Sequence, residues 1–251
     1  MTDRGVADES ALQVRILGAG RAGGSFATAL GRSGASVEVL AREADIADAA
    51  ADVDLVLLCT PDDQIAPVAA AIRPGDAVIA HCSGSRTLDV LAPHSRRGSI
   101  HPLMSLPDAV TGSRRLLDRC RFAIAGDPIV ERVVDVLGGV GFSVVDADRV
   151  RYHATASIAS NHLVALCSEV EQLADGLGID PEAFWRLMRT TLDNVAEHGA
   201  RSQLTGPVAR GDWATVEGHL AELEVEHRAP YLAMAAVAAR LAGRELPPHL
   251  T

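Results

Sequence analysis

The chain has 251 residues, enough for one large domain or two modest ones with a sizeable core. Its formal charge of −10 excludes the basic surface that nucleic acid or an anionic membrane demands, and no uncharged apolar run approaches the ~20 residues of a membrane span. All 23 basic residues are arginine, so Schiff-base, P-loop-lysine and lysine general-acid chemistry are excluded as well.

Residues 1–10 are polar and mixed in charge, which predicts a frayed lead-in with neither a secretory nor a transit signal. The first regular element is a β-prone run, Val14 to Leu17, that ends in Gly18-Ala19-Gly20-Arg21-Ala22-Gly23 and opens into a helix, Ser25 to Arg32. Glycine at those three spacings has a specific use. The first permits a sharp turn off the strand, and the second lets backbone approach a pyrophosphate. The third lets the helix pack close, its N-terminal amides facing the phosphates. Strand before and helix after give the motif its context. The loop Gly18, Gly20, Arg21, Ala22 and Gly23 is therefore a candidate dinucleotide site.

A second strand, Val37 to Leu40, leads to Ala41-Arg42. An NAD site would place an acid near here for the ribose 2′-hydroxyl, about 20 residues past the glycines. Ala41 leaves that role empty, and Arg42, with Arg21, suits a 2′-phosphate. NADP is the expected cofactor, ahead of NAD.

Residues 45–52 read as a short acidic, alanine-rich helix, and Val53 to Cys59 as a buried strand ending in Thr60-Pro61-Asp62-Asp63. The two aspartates are expected to cap the helix Gln64 to Ile72, with Thr60 and Pro61 beside the cofactor ribose. Ala77 to His81 makes the next strand. It runs into Cys82-Ser83-Gly84-Ser85, whose serines could cap a helix over Thr87 to Leu91 or face the cleft, Ser83 toward the nicotinamide and Ser85 toward substrate. His101, at a strand end and fixed by Pro102, is a third candidate from the same edge. Arg121 to Ala125 and Val140 to Val145 bracket a helix from Pro128 to Leu137. Residues 11–150 thus read as an α/β domain, a doubly wound, mostly parallel sheet.

From Tyr152 the texture turns all-helical, and residues 151–251 read as an all-α C-terminal domain. The spans are Tyr152 to Leu177, Glu182 to about Ser202 behind Asp180-Pro181, Trp213 to Glu226 capped by Asp212, and about Ala229 to Leu241. His153, Ser157 and Asn161 stand at i, i+4 and i+8, one polar stripe on an apolar helix. Unpaired buried polar groups cost ~1–3 kcal/mol each, so the stripe must be satisfied by other side chains or line a cleft. Arg210, in Arg-Gly-Asp after Thr205-Gly206-Pro207, is a candidate for an anionic substrate. The four cysteines, Cys59, Cys82, Cys120 and Cys167, lack Cys-x-x-Cys spacing and sit among apolar residues. Reduced thiols in a cytoplasmic protein follow, and no metal site is expected.

Assembled, these motifs make the chain similar to the superfamily of pyrroline-5-carboxylate reductase, prephenate dehydrogenase and the β-hydroxyacid dehydrogenases. It most resembles a branch with a Rossmann-like domain followed by a helical domain of unknown function. The resemblance rests on the Gly18–Gly23 fingerprint, Cys82-Ser83-Gly84-Ser85, His101-Pro102-Leu103, Tyr152-His153 with Asn161, and Thr205-Gly206-Pro207 with Arg210-Gly211-Asp212. It implies a Rossmann sheet, hydride transfer to or from a small oxo, hydroxy or imino acid where the two halves meet, and a homodimer through the C-terminal helices. The β-hydroxyacid dehydrogenases carry Lys-x-x-x-Asn on a helix; here the matching residues are Ser157 and Asn161. A serine is a poor acid near neutral pH, so proton delivery would pass to His101 or His153. A non-catalytic dinucleotide sensor or dimeric partner protein is the alternative.

Overall fold

Short leucine- and valine-rich runs give seven strands in the computed structural model, which describes residues 11–250. The expected lead-in at residues 1–10 lies outside them. The strands are β1 (Gln13–Leu17), β2 (Ser36–Leu40), β3 (Leu55–Leu58), β4 (Val78–His81), β5 (Arg97–Pro102), β6 (Arg121–Gly126) and β7 (Val140–Ser143). They form one sheet in the order β2-β1-β3-β4-β5-β6-β7, parallel throughout except where β6 runs antiparallel to β5. The chain leaves β1 toward β2 and later returns to the other side at β3. That reversal is a topological switch point, where open α/β sheets bind ligands beyond the carboxyl ends of their strands.

Alternation along each strand builds two cores. Leu55 and Leu57 join Val14, Ile16, Phe26, Leu30 and Phe122 on one face. Val56 and Leu58 join Leu17, Ile65, Ile72 and Ile79 on the other. Four consecutive buried residues in β3 mark a strand covered on both sides, the pattern of a doubly wound sheet.

Three helices pack on the first face or its edges: α1 (Arg21–Arg32), α3 (Ala109–Leu116) and α4 (Ile129–Val136). α1 and α3 approach closely because Gly112 stands where a methyl group would lie 2.0 Å from Ser25 Oγ. Ser25 Oγ itself donates to the Arg21 and Asp108 carbonyls at 2.6 and 3.3 Å, tying the two helices together. Asp108 caps α3, accepting from the Val110 and Thr111 amides at 2.9 and 2.8 Å. α2 (Ile65–Ala71) lies on the second face.

Three local expectations are corrected. Residues 45–52 form turns and no helix. Arg15 reaches across from β1 and donates to the carbonyls of Ala49 and Ala51 at 2.7 and 3.0 Å, so these acceptors are satisfied without a helical ladder. Asp62 and Asp63 do not cap α2, whose N-cap is Gln64 with no side-chain bond. Neither Ser83 nor Ser85 caps the segment after β4, which is a single 3₁₀ turn, Leu88–Leu91; its Leu88 amide is held by Asp146 Oδ2 at 3.1 Å.

The chain divides into two compact units, the first ending at Asn161 and the second beginning at His162. This is later than the change of texture near residue 150, because the first helix of the second half, α5 (Arg149–Ser157), packs with the sheet through Tyr152. The single helix expected over Tyr152 to Leu177 is interrupted by a π turn, Ile158–His162, before α6 (Leu163–Gly176). The rest of the second unit is helical: α7 (Glu182–His198), α8 (Ala200–Gln203), α9 (Pro207–Arg210), α10 (Trp213–Glu222) and α11 (Val225–Leu241). α10 is four residues shorter than expected, and α11 starts earlier, running through Pro230. Val208, Val216, Ala235, Ala239 and Leu250 form its core. No helix among the described residues is long and apolar enough to cross a membrane.

Candidate active site at the carboxyl edge of the sheet

The glycine loop is built as its spacing predicts. Gly18 has φ +106°, and a methyl group there would lie 2.7 Å from the carbonyl oxygen of Cys59, the residue just past β3. At Gly23 a methyl would lie 1.8 Å from the Gly18 carbonyl oxygen. Those two glycines are required by the chain's own packing. Gly20 is different, because a methyl there meets nothing within 4 Å. It is the N-cap of α1, and the first turn carries no acid and no side-chain cap. A helix start with free amides, an open approach at Gly20 and no competing carboxylate fits an anionic pyrophosphate. Arg21 and Arg42 are both exposed, Arg21 on the first turn and Arg42 just past β2, and Ala22 is half-buried.

Beyond β3, Thr60 is half-buried with its Oγ1 unpartnered among the described residues, and Pro61 is exposed. Asp62 then links two turns. Its Oδ2 accepts from Ser83 Oγ and Ser85 Oγ, both at 2.8 Å. Ser83 Oγ also accepts from the Ser85 and Arg86 amides at 3.2 Å. The two serine hydroxyls are thus used to fix the turn after β4. Beneath them Cys59 and Cys82 stand side by side as free thiols, and the contact with Cys82, then burial, pushes the Cys59 thiol up.

That turn presses on two histidines. A methyl group at Gly84 would lie 2.8 Å from His153 Cδ2 and 2.9 Å from His101 Nε2. The His101 and His153 rings sit edge-on, 6.2 Å between centroids. His101 Nδ1 is 2.6 Å from Tyr152 Oη, and Tyr152 also packs edge-on to Phe142 at 5.9 Å. Burial, then the neighbouring His153 and Arg149, pushes His101 down to about 4, so the ring is neutral at physiological pH. Burial pushes the Tyr152 phenol up to about 12.

A cavity of about 320 Å³ opens on this cluster, lined by His101, His153, Ser157 and Asn161 together with Pro102 to Ser105 and the π turn. The structure therefore brings four sequence candidates to one cavity inside the first unit. π turns often mark functional sites, since the extra residue re-aims the side chains that follow. Ser83 and Ser85 lie next to the cavity, with their hydroxyls committed to Asp62. Arg210 belongs to the second unit, exposed at the end of α9, where Gly211 follows in the left-handed conformation. Sequence reasoning gave no role to Tyr152 or to Arg149, a fully buried guanidinium whose Nε donates to Asp146 Oδ1 at 3.2 Å.

Two family models match, one described as a Rossmann-like domain over residues 39–107 and one as DUF2520, a domain of unknown function, over residues 122–238. The two models match successive stretches of the chain, the Rossmann-like one first. Among solved structures it is similar to protein TM1727 from Thermotoga maritima, at 27% identity over 92% of this chain and 98% of that one, TM-score 0.70. It is also similar to the pyrroline carboxylate reductase of Plasmodium falciparum with NADP bound, at 10% identity, 92% and 97% coverage and TM-score 0.63. A reductive aminase from Aspergillus terreus in complex with NADPH and ethyl levulinate matches at 19% identity, 94% and 89% coverage and TM-score 0.62. The last two establish a shared fold. No curated protein matches the chain in sequence.

Proposed function

We propose that the chain is an NADP-dependent oxidoreductase that moves a hydride to or from the carbonyl, carbinol or imine carbon of a small oxo, hydroxy or imino acid. The observation that carries this reading is the unbroken run along one sheet edge, from the Gly18–Gly23 loop through Thr60–Asp62 and Ser83–Ser85 to the His101 cavity. Gly18, Gly20, Ala22 and Gly23 would hold the pyrophosphate, Arg42 with Arg21 the 2′-phosphate, and Thr60, Pro61 and Ser83 the ribose and ring end. When bound, the nicotinamide supplies or accepts the hydride.

The protein's own part is orientation and proton handling. His101, neutral and half-buried, is suited to hydrogen-bond the reacting oxygen or nitrogen. His153, Ser157 and Asn161 surround the same space, and the serine stands where related dehydrogenases carry lysine. Ser85 is assigned to the substrate's polar end. Nicotinamide fluorescence and NADPH oxidation against a panel of oxo and imino acids test the reading. His101→Asn and Asn161→Ala are expected to lower kcat by about 10²–10³-fold while NADPH affinity stays within about twofold. Arg42→Ala should instead weaken NADPH and leave NADH unchanged. Binding without turnover on any panel member would favour the sensor over the enzyme.

The second unit supports a homodimer. Leu163, Val164 and Leu166 on α6 and Leu187 and Leu192 on α7 are 38–67% exposed, more apolar surface than a monomeric helix pair ordinarily leaves in water. Light scattering should give twice the chain mass, with Leu187→Glu shifting it toward the monomer. A wild-type monomer at micromolar concentration would remove this assignment.

A further inference from the structure

We propose that Tyr152 is a positioning residue that fixes His101 as the Nε2–H tautomer and returns a proton to Nδ1 when Nε2 gives one up. His101 Nδ1 and Tyr152 Oη are hydrogen-bond partners at 2.6 Å, and burial keeps the phenol protonated; in the proposed arrangement the phenol donates its hydrogen and Nδ1 accepts. A neutral imidazole that accepts at Nδ1 carries its hydrogen on Nε2. Nε2 faces the Gly84 turn, and the His101 side chain lines the cavity. The ring therefore presents a donor where a substrate oxygen or nitrogen would sit.

The depressed basicity of His101 means that it acts as a neutral donor, and its surroundings explain how it could still release a proton. From α5 the ring faces Tyr152, His153 and Arg149; from the turn after β3 it faces Asp62, and from β4, His81. Arg149 is fully buried, and its Nη1 and Nη2 have no hydrogen-bond partner among the described residues. Its charge lowers the Tyr152 phenol against the effect of burial. In the proposed step the Nε2–H bond breaks as a hydrogen–oxygen or hydrogen–nitrogen bond forms on the reduced substrate. The Tyr152 O–H bond breaks as Nδ1–H forms. The product gains one proton, His101 stays neutral in its other tautomer, and the phenolate charge is offset by Arg149 until solvent returns the proton.

The catalytic consequence rests on the oxidoreductase reading; the tautomer does not. Nitrogen NMR of the ¹⁵N-histidine-labelled chain without ligand, with His101 assigned by its loss in His101→Gln, reads the tautomer directly. Wild type is expected to show a single Nε2–H form from pH 8 to pH 5, and Tyr152→Phe a mixture of both forms. An Nδ1–H form in wild type, or an unchanged pure Nε2–H form in Tyr152→Phe, overturns the proposal. Should Tyr152→Phe not fold, the wild-type spectrum decides, and 3-fluorotyrosine incorporation must move the His101 Nδ1 resonance. On any substrate that wild type turns over, Tyr152→Phe should lower kcat about 100-fold with KM within twofold. If wild type turns nothing over, the oxidoreductase reading fails while the tautomer result stands by itself.

Discussion

Gly23→Ala is expected to destabilise the first unit by at least about 3 kcal/mol, whereas Gly20→Ala, three residues away, leaves stability within about 1 kcal/mol and weakens NADPH at least tenfold. The difference follows from what each added methyl would meet. At Gly23 it would stand 1.8 Å from the Gly18 carbonyl oxygen, a backbone atom held in turn by the left-handed Gly18 and its contact with Cys59. Neither can give way without breaking the β1–α1 turn, so the cost should exceed ordinary overpacking. For a unit of this size the melting temperature should fall by roughly 10 °C. At Gly20 the methyl meets no protein atom within 4 Å. No protein contact requires the glycine there beyond its place as the N-cap of α1, so the close approach of a ligand is its expected use. Thermal melts and NADPH fluorescence titrations of both variants check this, and a Gly20→Ala protein that binds NADPH like wild type would end the dinucleotide assignment.

His81 should make the fold acid-sensitive. It is fully buried at the end of β4, and burial, then the Arg149 charge, pushes it down to about 4. The folded chain holds the ring neutral, while the unfolded chain takes up a proton below its ordinary value of about 6.5. The stability tied to the neutral ring is therefore fully present above pH 6.5 and is lost as the pH falls toward 4. The drop of about 2.5 pH units corresponds to ~3 kcal/mol at most. His101 shifts the same way; His227, raised by its bond to Glu169, acts in the opposite sense. His81→Met removes the titrating ring, so urea midpoints of the variant and wild type should converge at pH 7 and separate progressively at pH 5.5 and 4.5, the variant being the more stable. Parallel pH profiles would show that the ring is not protonated on unfolding.

The parts of the fold that could be read in advance are those whose cause is local. Leu55–Leu58, buried on both faces, and the Gly18–Gly23 turn carry their reasons within a few residues. His101 was visible because a histidine before proline at a strand end has few structural duties. Asp108 after Pro107 is an equally local signal, for α3. What could not be read depends on distant chain. Arg15 replaces the helix expected at residues 45–52 by reaching carbonyls 34 and 36 positions away. Tyr152 meets His101 across 51 positions, and a helical arginine such as Arg149 ordinarily reads as a solvated charge, not a buried one. The i, i+4, i+8 stripe did foretell which side chains share the cavity. The π turn that carries Asn161 there left no trace in the spacing.

The clasp between α1 and α3 bears on how tightly a nucleotide could be held. Ser25, one turn into α1, is bound to the carbonyl of Asp108, and Gly112 lets the two helices touch. The amides at the start of α1 are thereby held in place before any phosphate arrives. Little conformational entropy remains to be lost at that end of the site on association, so the free energy of each phosphate contact is spent on affinity rather than on ordering the loop.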